Sequence, residues 1–210
     1  MVVKEVMSLK PITIRSRDSL YLALNLMRKH NIRHLPVVDE GRLRGIITES
    51  DIRGAFLGDA DHPSAPLNPE AMTVCDHMTQ EPVAVAPGTH IEDAALLIYK
   101  KKIGALPVVQ EHSLVGIISI MDILGLFVDM MGILHSSSRL DVVMGKDPKN
   151  FEKVSKIIND QGINIISVGM SPFKEDKNRQ TYIFRLDLCE TGPVVEKITS
   201  AGFQVISAMD

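Results

Sequence analysis

The chain has 210 residues, of which 45% are hydrophobic and 23% are charged. This is the composition of an ordinary globular protein with room for one large domain or two to three small ones. A formal net charge of −3 gives no reason to expect a nucleic-acid partner, which normally requires a clustered basic surface. The two cysteines lack CxxC spacing, so we expect a cytoplasmic protein without disulfides or a zinc site.

One apolar stretch, residues 114–134, is long enough to cross a bilayer. It contains Asp122 and Asp129, and an aspartate near the bilayer centre costs roughly 2.5–3.5 kcal/mol. The N-terminal residues also lack the apolar core of a signal peptide. We therefore predict a buried strand followed by a helix with an exposed apolar face, and no membrane partner.

An internal repeat with an offset of 71 residues dominates the first two thirds of the chain. Gly-Ile-Ile-Thr-Glu-Ser-Asp at residues 45–51 recurs as Gly-Ile-Ile-Ser-Ile-Met-Asp at 116–122, and no gap is needed over some fifty positions. Two copies are expected to pack together, because neither covers its exposed face alone. We predict repeat units at residues 1–57 and 73–134, joined by a proline-containing linker at 58–72.

Each copy is predicted to be a small α/β unit of order β-α-β-β-α. A strand at residues 11–14 leads to a helix, then to a strand from Leu35, a turn at 39–41, the strand of the repeated motif and a second helix. The first helix has apolar residues on one face, with the spacing of a buried side. Asp18 and Thr89 are the predicted N-caps, and Thr89 with Glu92 would form a capping box.

Residues 138–210 follow a different pattern after a short linker near 134–139. Strands are predicted at residues 139–144, 163–168, 181–188 and 203–207. Helices are predicted to begin at Asp147-Pro148 and at Thr191-Gly-Pro. The resulting order, βαββαβ, is that of a ferredoxin-like domain. The fold class of the whole chain is therefore α/β (α+β).

The repeated motif places a hydroxyl and a carboxylate at a strand-to-helix corner: Thr48 with Asp51, and Ser119 with Asp122. An ionised carboxylate only accepts hydrogen bonds and has enough lone pairs to take both hydroxyls of a cis-diol. A hydroxyl at the start of a helix can donate to a phosphate. The same spacing is also a helix N-cap signature that needs no ligand. The motif alone leaves both interpretations open.

Taken together, the two copies resemble a pair of CBS domains, also called a Bateman module. The resemblance covers residues 1–130 and is carried by Met-xxx-Pro at the start of each copy, a Leu-Pro-Val-Val strand and the closing Gly-Ile-Ile-[Thr/Ser]-xx-Asp. It implies a regulatory protein, not an enzyme, that needs no cofactor. It also implies that a cleft beside each closing strand binds an adenosine-containing ligand such as AMP, ADP, ATP or S-adenosylmethionine.

The expected ligand-binding residues lie in equivalent segments of the two copies. The resemblance places the hydroxyl near phosphate and the aspartate on the ribose, and apolar neighbours would enclose the purine. The first cleft comprises Ile12, Thr13, Arg33, His34, Leu35, Pro36, Thr48 and Asp51. The second comprises Val83, Ala84, Ala105, Leu106, Pro107, Ser119 and Asp122.

The two copies differ where a phosphate would sit. Arg33 and His34 precede the Leu-Pro pair of the first copy, whereas Gly104 and Ala105 occupy these positions in the second. Arg53 likewise has an uncharged counterpart. Arg33 and Arg53 can also be explained as ordinary surface charges. If they face the cleft, the first cleft is the better phosphate site, and the second is empty or takes a less charged adenosyl ligand.

The C-terminal segment resembles an ACT domain through Asp147-Pro148-x-x-Phe151 and Ile163-Asn-Ile. ACT domains bind amino acids between paired copies and use a glycine where this chain has Lys149. That departure favours a dimerisation or relay module over an amino-acid sensor, with Lys149 and Asn164 as the candidate site residues. A CBS pair followed by such a domain resembles the AcuB type of acetoin-utilisation protein.

Two further expectations concern partners and catalysis. The apolar helix predicted at residues 123–134, with Leu126, Phe127, Met130 and Met131, is wide enough to form a homodimer interface, although core burial is the alternative. We also expect an unidentified protein partner to receive the signal. None of the seven histidines has HExxH or other metal-ligand spacing, and no P-loop or nucleophile elbow occurs. We therefore predict neither a metal site nor a catalytic residue.

Overall fold

The computed structural model describes residues 1–57 and 71–210. Most of the predicted linker, residues 58–70, lies outside the described residues. The described chain divides into two compact units, Met1–Leu124 and Gly125–Asp210. The first unit contains the two repeats up to the first half of their last helix. The second contains the rest of that helix and the ferredoxin-like segment.

Both repeats contain the same elements in the same order. The first has a 3-10 turn at Val3–Glu5, β1 (Ser8–Leu9), α1 (Leu20–His30), β2 (His34–Asp39), β3 (Arg42–Thr48) and α2 (Glu49–Leu57). The second has a 3-10 turn at Val74–Asp76, β4 (Thr79–Gln80), α3 (Ile91–Lys101), β5 (Ala105–Gln110), β6 (Ser113–Ser119) and α4 (Ile120–Met130). Strands β2 and β3 form an antiparallel hairpin, as do β5 and β6.

The short N-terminal strands are exchanged between the repeats. Strand β1 of the first repeat pairs with β6 of the second, and β4 of the second repeat pairs with β3 of the first. The 3-10 turns follow the same rule, because Val3 N donates to Thr89 O at 2.8 Å and Val74 N donates to Asp18 O at 2.9 Å. Each repeat therefore needs the other to complete its sheet and its core.

The exchanged strands explain the glycine that opens the repeated motif. A Cβ at Gly45 would lie 2.5 Å from Met78 Sδ and 2.9 Å from the Thr79 carbonyl oxygen. A Cβ at Gly116 would meet Met7 and the next carbonyl at nearly the same distances. No side chain fits at either glycine unless the backbone moves. Gly45 therefore packs against Met78, and Gly116 packs against Met7.

The cores of the two repeats use residues 71 positions apart. The matched buried side chains are at most 3% exposed. The matched pairs are Val3/Val74, Leu20/Ile91, Ala23/Ala94, Met27/Ile98, Leu35/Leu106, Val37/Val108, Ile47/Ile118 and Ile52/Ile123. The first core includes Val74, which belongs to the second repeat. The strand exchange thus extends into the hydrophobic packing.

Two sequence predictions about the repeats are wrong. Residues 11–14 and 82–85 are not strands, because only Ile14 and Val85 form isolated bridges, to Val37 and Val108. Each segment leaves the partner repeat's sheet and crosses back to its own, so it has no continuous strand neighbour. The N-cap of α1 is Ser19, whose Oγ accepts from Leu22 N at 3.2 Å.

The predicted caps at Asp18 and Thr89 are therefore displaced. Asp18 accepts instead from Arg15 N at 2.9 Å and stabilises the turn before the helix. Helix α3 begins after His90 and has no side-chain cap. The capping box predicted between Thr89 and Glu92 does not form.

The second unit has the expected ferredoxin-like order. Its elements are β7 (Ser137–Gly145), α5 (Pro148–Asn159), β8 (Ile165–Pro172), β9 (Arg179–Asp187), α6 (Gly192–Ser200) and β10 (Gln204–Met209). The sheet order is β10-β7-β9-β8, and all neighbours are antiparallel. One core joins the sheet to α5 and α6. Strand β7 begins inside the predicted linker, which is therefore shorter than expected.

Helix α4 is shorter than the predicted apolar helix, since it ends at Met130 and is followed by turns. Ile123 is buried, whereas Phe127 and Met130 are 42% and 57% exposed. The predicted exposed apolar surface is therefore present at Phe127 and Met130, but residues 131–134 are not helical. Within residues 1–57 and 71–210, no helix combines the length and apolar character that crossing a membrane requires.

Candidate ligand-binding clefts

Both copies of the repeated motif form the same hydrogen-bonded corner. Asp51 Oδ2 accepts from the N–H and the hydroxyl of Thr48, each at 2.8 Å, and Asp51 N donates back to Thr48 Oγ1 at 3.2 Å. Asp122 Oδ2 accepts in the same way from Ser119, at 2.7 and 2.6 Å, and the return bond is 3.2 Å. The N-cap interpretation of the motif is therefore confirmed in both repeats.

This cap leaves one carboxylate oxygen of each aspartate for another partner. Within the described part of the chain, neither Asp51 Oδ1 nor Asp122 Oδ1 accepts a hydrogen bond. The hydroxyls of Thr48 and Ser119 have already donated their only proton, so they can accept a further bond but cannot donate one. The corner as folded is suited to bind a hydroxyl donor and not to donate to a phosphate.

The other predicted residues of the first cleft lie next to this corner. His34 is the register partner of Thr48, and Glu49 N donates to Arg33 O at 3.0 Å. Residues 12–14 run alongside, because Ile14 N donates to Pro36 O at 3.1 Å. Three separate segments are therefore brought together at the end of β3.

The second cleft is assembled in the same way. Ala105 is the register partner of Ser119, and Ile120 N donates to Gly104 O at 2.9 Å. Val85 N donates to Pro107 O at 3.0 Å, which places residues 83–84 beside the start of β5. The backbone framework of the two clefts is the same, so any difference between them comes from side chains.

Not every predicted residue can offer its side chain. Leu35 and Leu106 are fully buried in their cores, and Ala105 is 4% exposed. Pro36 and Pro107 are also buried. These positions can border a ligand only with their backbone or a small part of the ring. Ile12 is half-buried, while Thr13, Val83 and Ala84 are exposed, so the accessible apolar wall is on the segment that precedes each helix.

Both repeats match the CBS domain family, at residues 3–58 and 74–129. The chain belongs to this family. It is 31% identical over 121 residues to the CBS domain-containing protein YhcV of Bacillus subtilis, covering 58% of this chain and 81% of YhcV. It is also 35% identical over 127 residues to L-aspartate semialdehyde sulfurtransferase of Methanocaldococcus jannaschii, covering 60% of this chain but only 23% of that enzyme.

Solved CBS pairs have the same fold as the first unit. One, in complex with 5′-methylthioadenosine and S-adenosyl-L-methionine, is 34% identical with a TM-score of 0.53 and covers 60% of this chain and 95% of its own. CBSX2 in complex with AMP is 25% identical with a TM-score of 0.53, covering 61% and 96%. A putative acetoin utilization protein (AcuB) from Vibrio cholerae is 28% identical with a TM-score of 0.54, covering 63% and 94%.

The first CBS unit has a titratable side chain, His34, where the second has Ala105. Burial lowers the pKa of His34 below its ordinary value of 6.5, the Arg33 guanidinium lowers it further, and the Asp51 carboxylate opposes both. The imidazole is therefore held mainly in its neutral form near pH 7. Arg53 pairs with Glu49 at 3.5 Å on the exposed side of α2, which favours the surface interpretation of that arginine.

His34 also reaches across the boundary between the two CBS units. A Cβ at Gly104 would collide with its Nε2 and would lie 2.8 Å from its Cε1. The sequence suggested only that Gly104 leaves the second cleft without charge. Its missing side chain also makes room for the imidazole of the first unit, so His34 lies between the two clefts.

The candidate residues of the ACT-like segment do not form a site together. Lys149 lies in the first turn of α5, where its N–H donates to Asp147 Oδ1 at 3.0 Å. Asn164 lies beyond the other end of this helix and donates from Nδ2 to Asp187 Oδ2 at 2.7 Å. A helix of 12 residues is about 18 Å long. One small amino acid could not contact both side chains within this chain.

In the described residues, no group of three or more histidine, cysteine or acidic side chains is arranged to hold a metal ion. The corners offer carboxylate and hydroxyl groups already engaged with each other. The arrangement fits recognition of a polyhydroxylated ligand better than proton transfer or nucleophilic attack.

Proposed function

We propose that this protein is a regulatory sensor that binds adenosine-containing ligands in its two CBS clefts. The observation that carries the proposal is the unused Oδ1 of Asp51 and Asp122, because a ribose cis-diol is the complementary donor. Solved CBS pairs that hold 5′-methylthioadenosine, S-adenosyl-L-methionine or AMP support the ligand class. The candidate ligands for the two clefts are AMP, ADP, ATP and S-adenosylmethionine.

The first cleft is proposed as the phosphate-binding one. Arg33 supplies a fixed positive charge beside the corner, and His34 becomes an additional donor when a phosphate favours its protonated form. Thr48 can contribute only as an acceptor unless its bond to Asp51 breaks. The second cleft has Gly104 and Ala105 at these positions, which suits an uncharged or positively charged adenosyl group.

The regulatory output is proposed to pass through the second unit to a protein partner. In this scheme ligand binding changes the packing of the two CBS units, and α4 transmits the change, since it begins at the second corner. The exposed Phe127 and Met130 are proposed to form a homodimer contact. The ACT-like identity of residues 138–210, a role in acetoin or central carbon metabolism and a cytoplasmic location rest on the resemblance to AcuB-type proteins.

One alternative is supported by a specific observation. The capping boxes at Asp51 and Asp122 are complete without a ligand, so the corners could be purely structural and the protein a dimerisation module with empty clefts. The third possibility is an amino-acid sensor that binds between paired copies of the C-terminal segment, where Lys149 of one copy and Asn164 of the other would have to meet.

Calorimetric titration with the four adenosine ligands separates these functions. The wild type is expected to bind at least one of them, and Asp51→Asn with Asp122→Asn is expected to abolish binding. Asparagine keeps one acceptor oxygen for the cap but presents an NH₂ group where the ribose needs an acceptor. A wild type that binds none of the four would support the structural module, and sustained turnover of a bound nucleotide would contradict a purely sensory role.

A further inference from the structure

A groove lies at the hairpin end of the CBS pair, at the opposite ends of β3 and β6 from Thr48 and Ser119. It is lined by Arg42 and Arg44 of β3, by Glu81, and by Val109 and His112 of the second hairpin, and its volume is about 370 Å³. Thr48 is at the opposite end of β3 from Arg42. The six steps along the strand correspond to about 20 Å. A ligand in this groove is therefore distinct from one held at the Asp51 corner.

The two arginines of the groove are available for a ligand. Arg42 and Arg44 both line the groove, and a bulge leaves Arg44 without a register partner on β2. Both are exposed. Neither is in an ion pair among the described residues. Two guanidinium groups that line one groove can donate several hydrogen bonds to an oxyanion.

His112 occupies an unfavourable backbone conformation at the rim of the groove. Its φ is 69°, in the left-handed region that disfavours residues with a Cβ. The equivalent residue of the first hairpin is Gly41, with φ 76°, which adopts this conformation without strain. A glycine would be the unstrained residue at both positions. The two-residue hairpin turn requires a positive φ here, and histidine is among the residues that adopt it more often than most. The turn therefore holds the imidazole at the rim of the groove.

The pseudo-symmetry of the CBS pair provides an internal comparison. At an offset of 71 residues, the positions of Arg42 and Arg44 become Ser113 and Val115. His112 becomes Gly41, and Glu81 becomes Lys10. The two guanidinium groups and the imidazole therefore occur together at only one of the two related positions. The formal charges of the two positions are equal, since Lys10 at the other position matches the sum of Arg42, Arg44 and Glu81, so the difference lies in the paired donors.

We propose that this groove binds the phosphate groups of a small phosphorylated molecule. Arg42 and Arg44 would donate to the phosphate oxygens, and His112 would donate from its ring N–H. Glu81 lies beside Arg44, since Glu81 N donates to Arg44 O at 3.2 Å. Its carboxylate would repel a highly charged ligand and limit affinity. The groove thus adds an oxyanion site to the CBS pair that does not depend on adenosine binding.

Pyrophosphate is the probe for the first experiment, which uses the full chain and calorimetry at low ionic strength. Loss of both guanidinium groups in Arg42→Ala/Arg44→Ala should weaken pyrophosphate binding by at least about tenfold, because charge-assisted hydrogen bonds are lost. Glu81→Gln should strengthen binding severalfold, a gain that misfolding could not produce. His112→Gly, which copies Gly41, should raise the thermal stability of the chain and weaken binding.

Two control variants show whether pyrophosphate binds in this groove or elsewhere on the CBS pair. Lys10→Ala changes the charge at the related position of the first repeat and should leave pyrophosphate affinity unchanged. Arg33→Ala removes the charge that is proposed to bind phosphate in the first adenosine cleft. It should affect only binding in that cleft and leave unchanged the pyrophosphate site that Arg42→Ala/Arg44→Ala weakens. The proposal is overturned if the double arginine variant binds pyrophosphate as the wild type does, or if Arg33→Ala abolishes binding, since the anion would then occupy the cleft.

Discussion

The two CBS corners have the same internal geometry but different surroundings. Their hydrogen bonds differ by at most 0.2 Å between Thr48–Asp51 and Ser119–Asp122. Beside the first corner are Arg33 and His34, whereas the second has Gly104 and Ala105. The shared hydrogen-bonded cap determines where the strand ends and the helix begins. The residues at 33–34 and 104–105 determine the charge beside that cap. The two repeats thus share one scaffold and differ in the charge beside it.

The largest predicted effect tests the shared scaffold. Gly45→Ala should lower the free energy of unfolding by about 3 kcal/mol, because the new Cβ meets Met78 and a backbone carbonyl of the exchanged strand. Gly116→Ala should cost a similar amount if the two halves are equivalent. Chemical denaturation measures both values.

Helical glycines provide the matched control for that prediction. A Cβ at Gly54 or Gly125 meets nothing within 4 Å. Alanine at either position should therefore stabilise the helix, by about 0.5–1 kcal/mol. Equal and small effects at Gly45 and Gly54 would show that the exchanged strands do not pack closely on the motif.

A smaller effect is expected where the two clefts meet. Gly104→Ala should cost about 1 kcal/mol of stability, because the added methyl group displaces the His34 imidazole. His34→Ala in the same chain should remove most of that cost. A double-mutant cycle from denaturation curves would show additive effects if the contact were unimportant.

The smallest effect is a pH dependence confined to the first cleft. Burial and Arg33 lower the pKa of His34 in the folded chain, so its contribution to stability is present above its unfolded pKa and is lost as the pH falls through the folded pKa. A phosphate bound beside His34 would raise the pKa of the imidazole and favour its protonated form. AMP affinity of the wild type relative to His34→Ala should therefore rise severalfold between about pH 7.5 and about pH 6.

The comparison with His34→Ala cancels the titration of the phosphate itself, because AMP is common to both proteins. Adenosine, which has no phosphate, should show a ratio that does not change with pH. A pH-independent ratio for AMP would place the phosphate away from His34.

Much of the fold and the corners could be predicted from local patterns. The 71-residue offset identified both repeats, and the Thr-xx-Asp spacing predicted a cap that the structure confirms. The order of strands and helices after residue 137 predicted the ferredoxin-like unit. These features depend on residues close together in the chain, or on a repeat whose register is visible by eye.

Features that depend on contacts between distant segments were missed. The exchange of β1 and β4 could not be predicted, because nothing in a two-residue strand specifies which repeat it joins. The repeated Met7/Gly116 and Met78/Gly45 pairs were its only signal. Residues 11–14 have strand-like composition but no continuous partner. The position of His34 against Gly104 arises only when the two units pack.

The measurement that tests the central claim most directly is the stoichiometry and affinity of AMP binding to single-cleft variants. We expect Asp51→Asn to weaken AMP binding by at least about tenfold, because the proposed carboxylate bond to the ribose would be lost. Asp122→Asn should leave the tightest AMP site unchanged. Equal losses in both variants, or a loss confined to Asp122→Asn, would contradict the assignment of phosphate recognition to the first cleft.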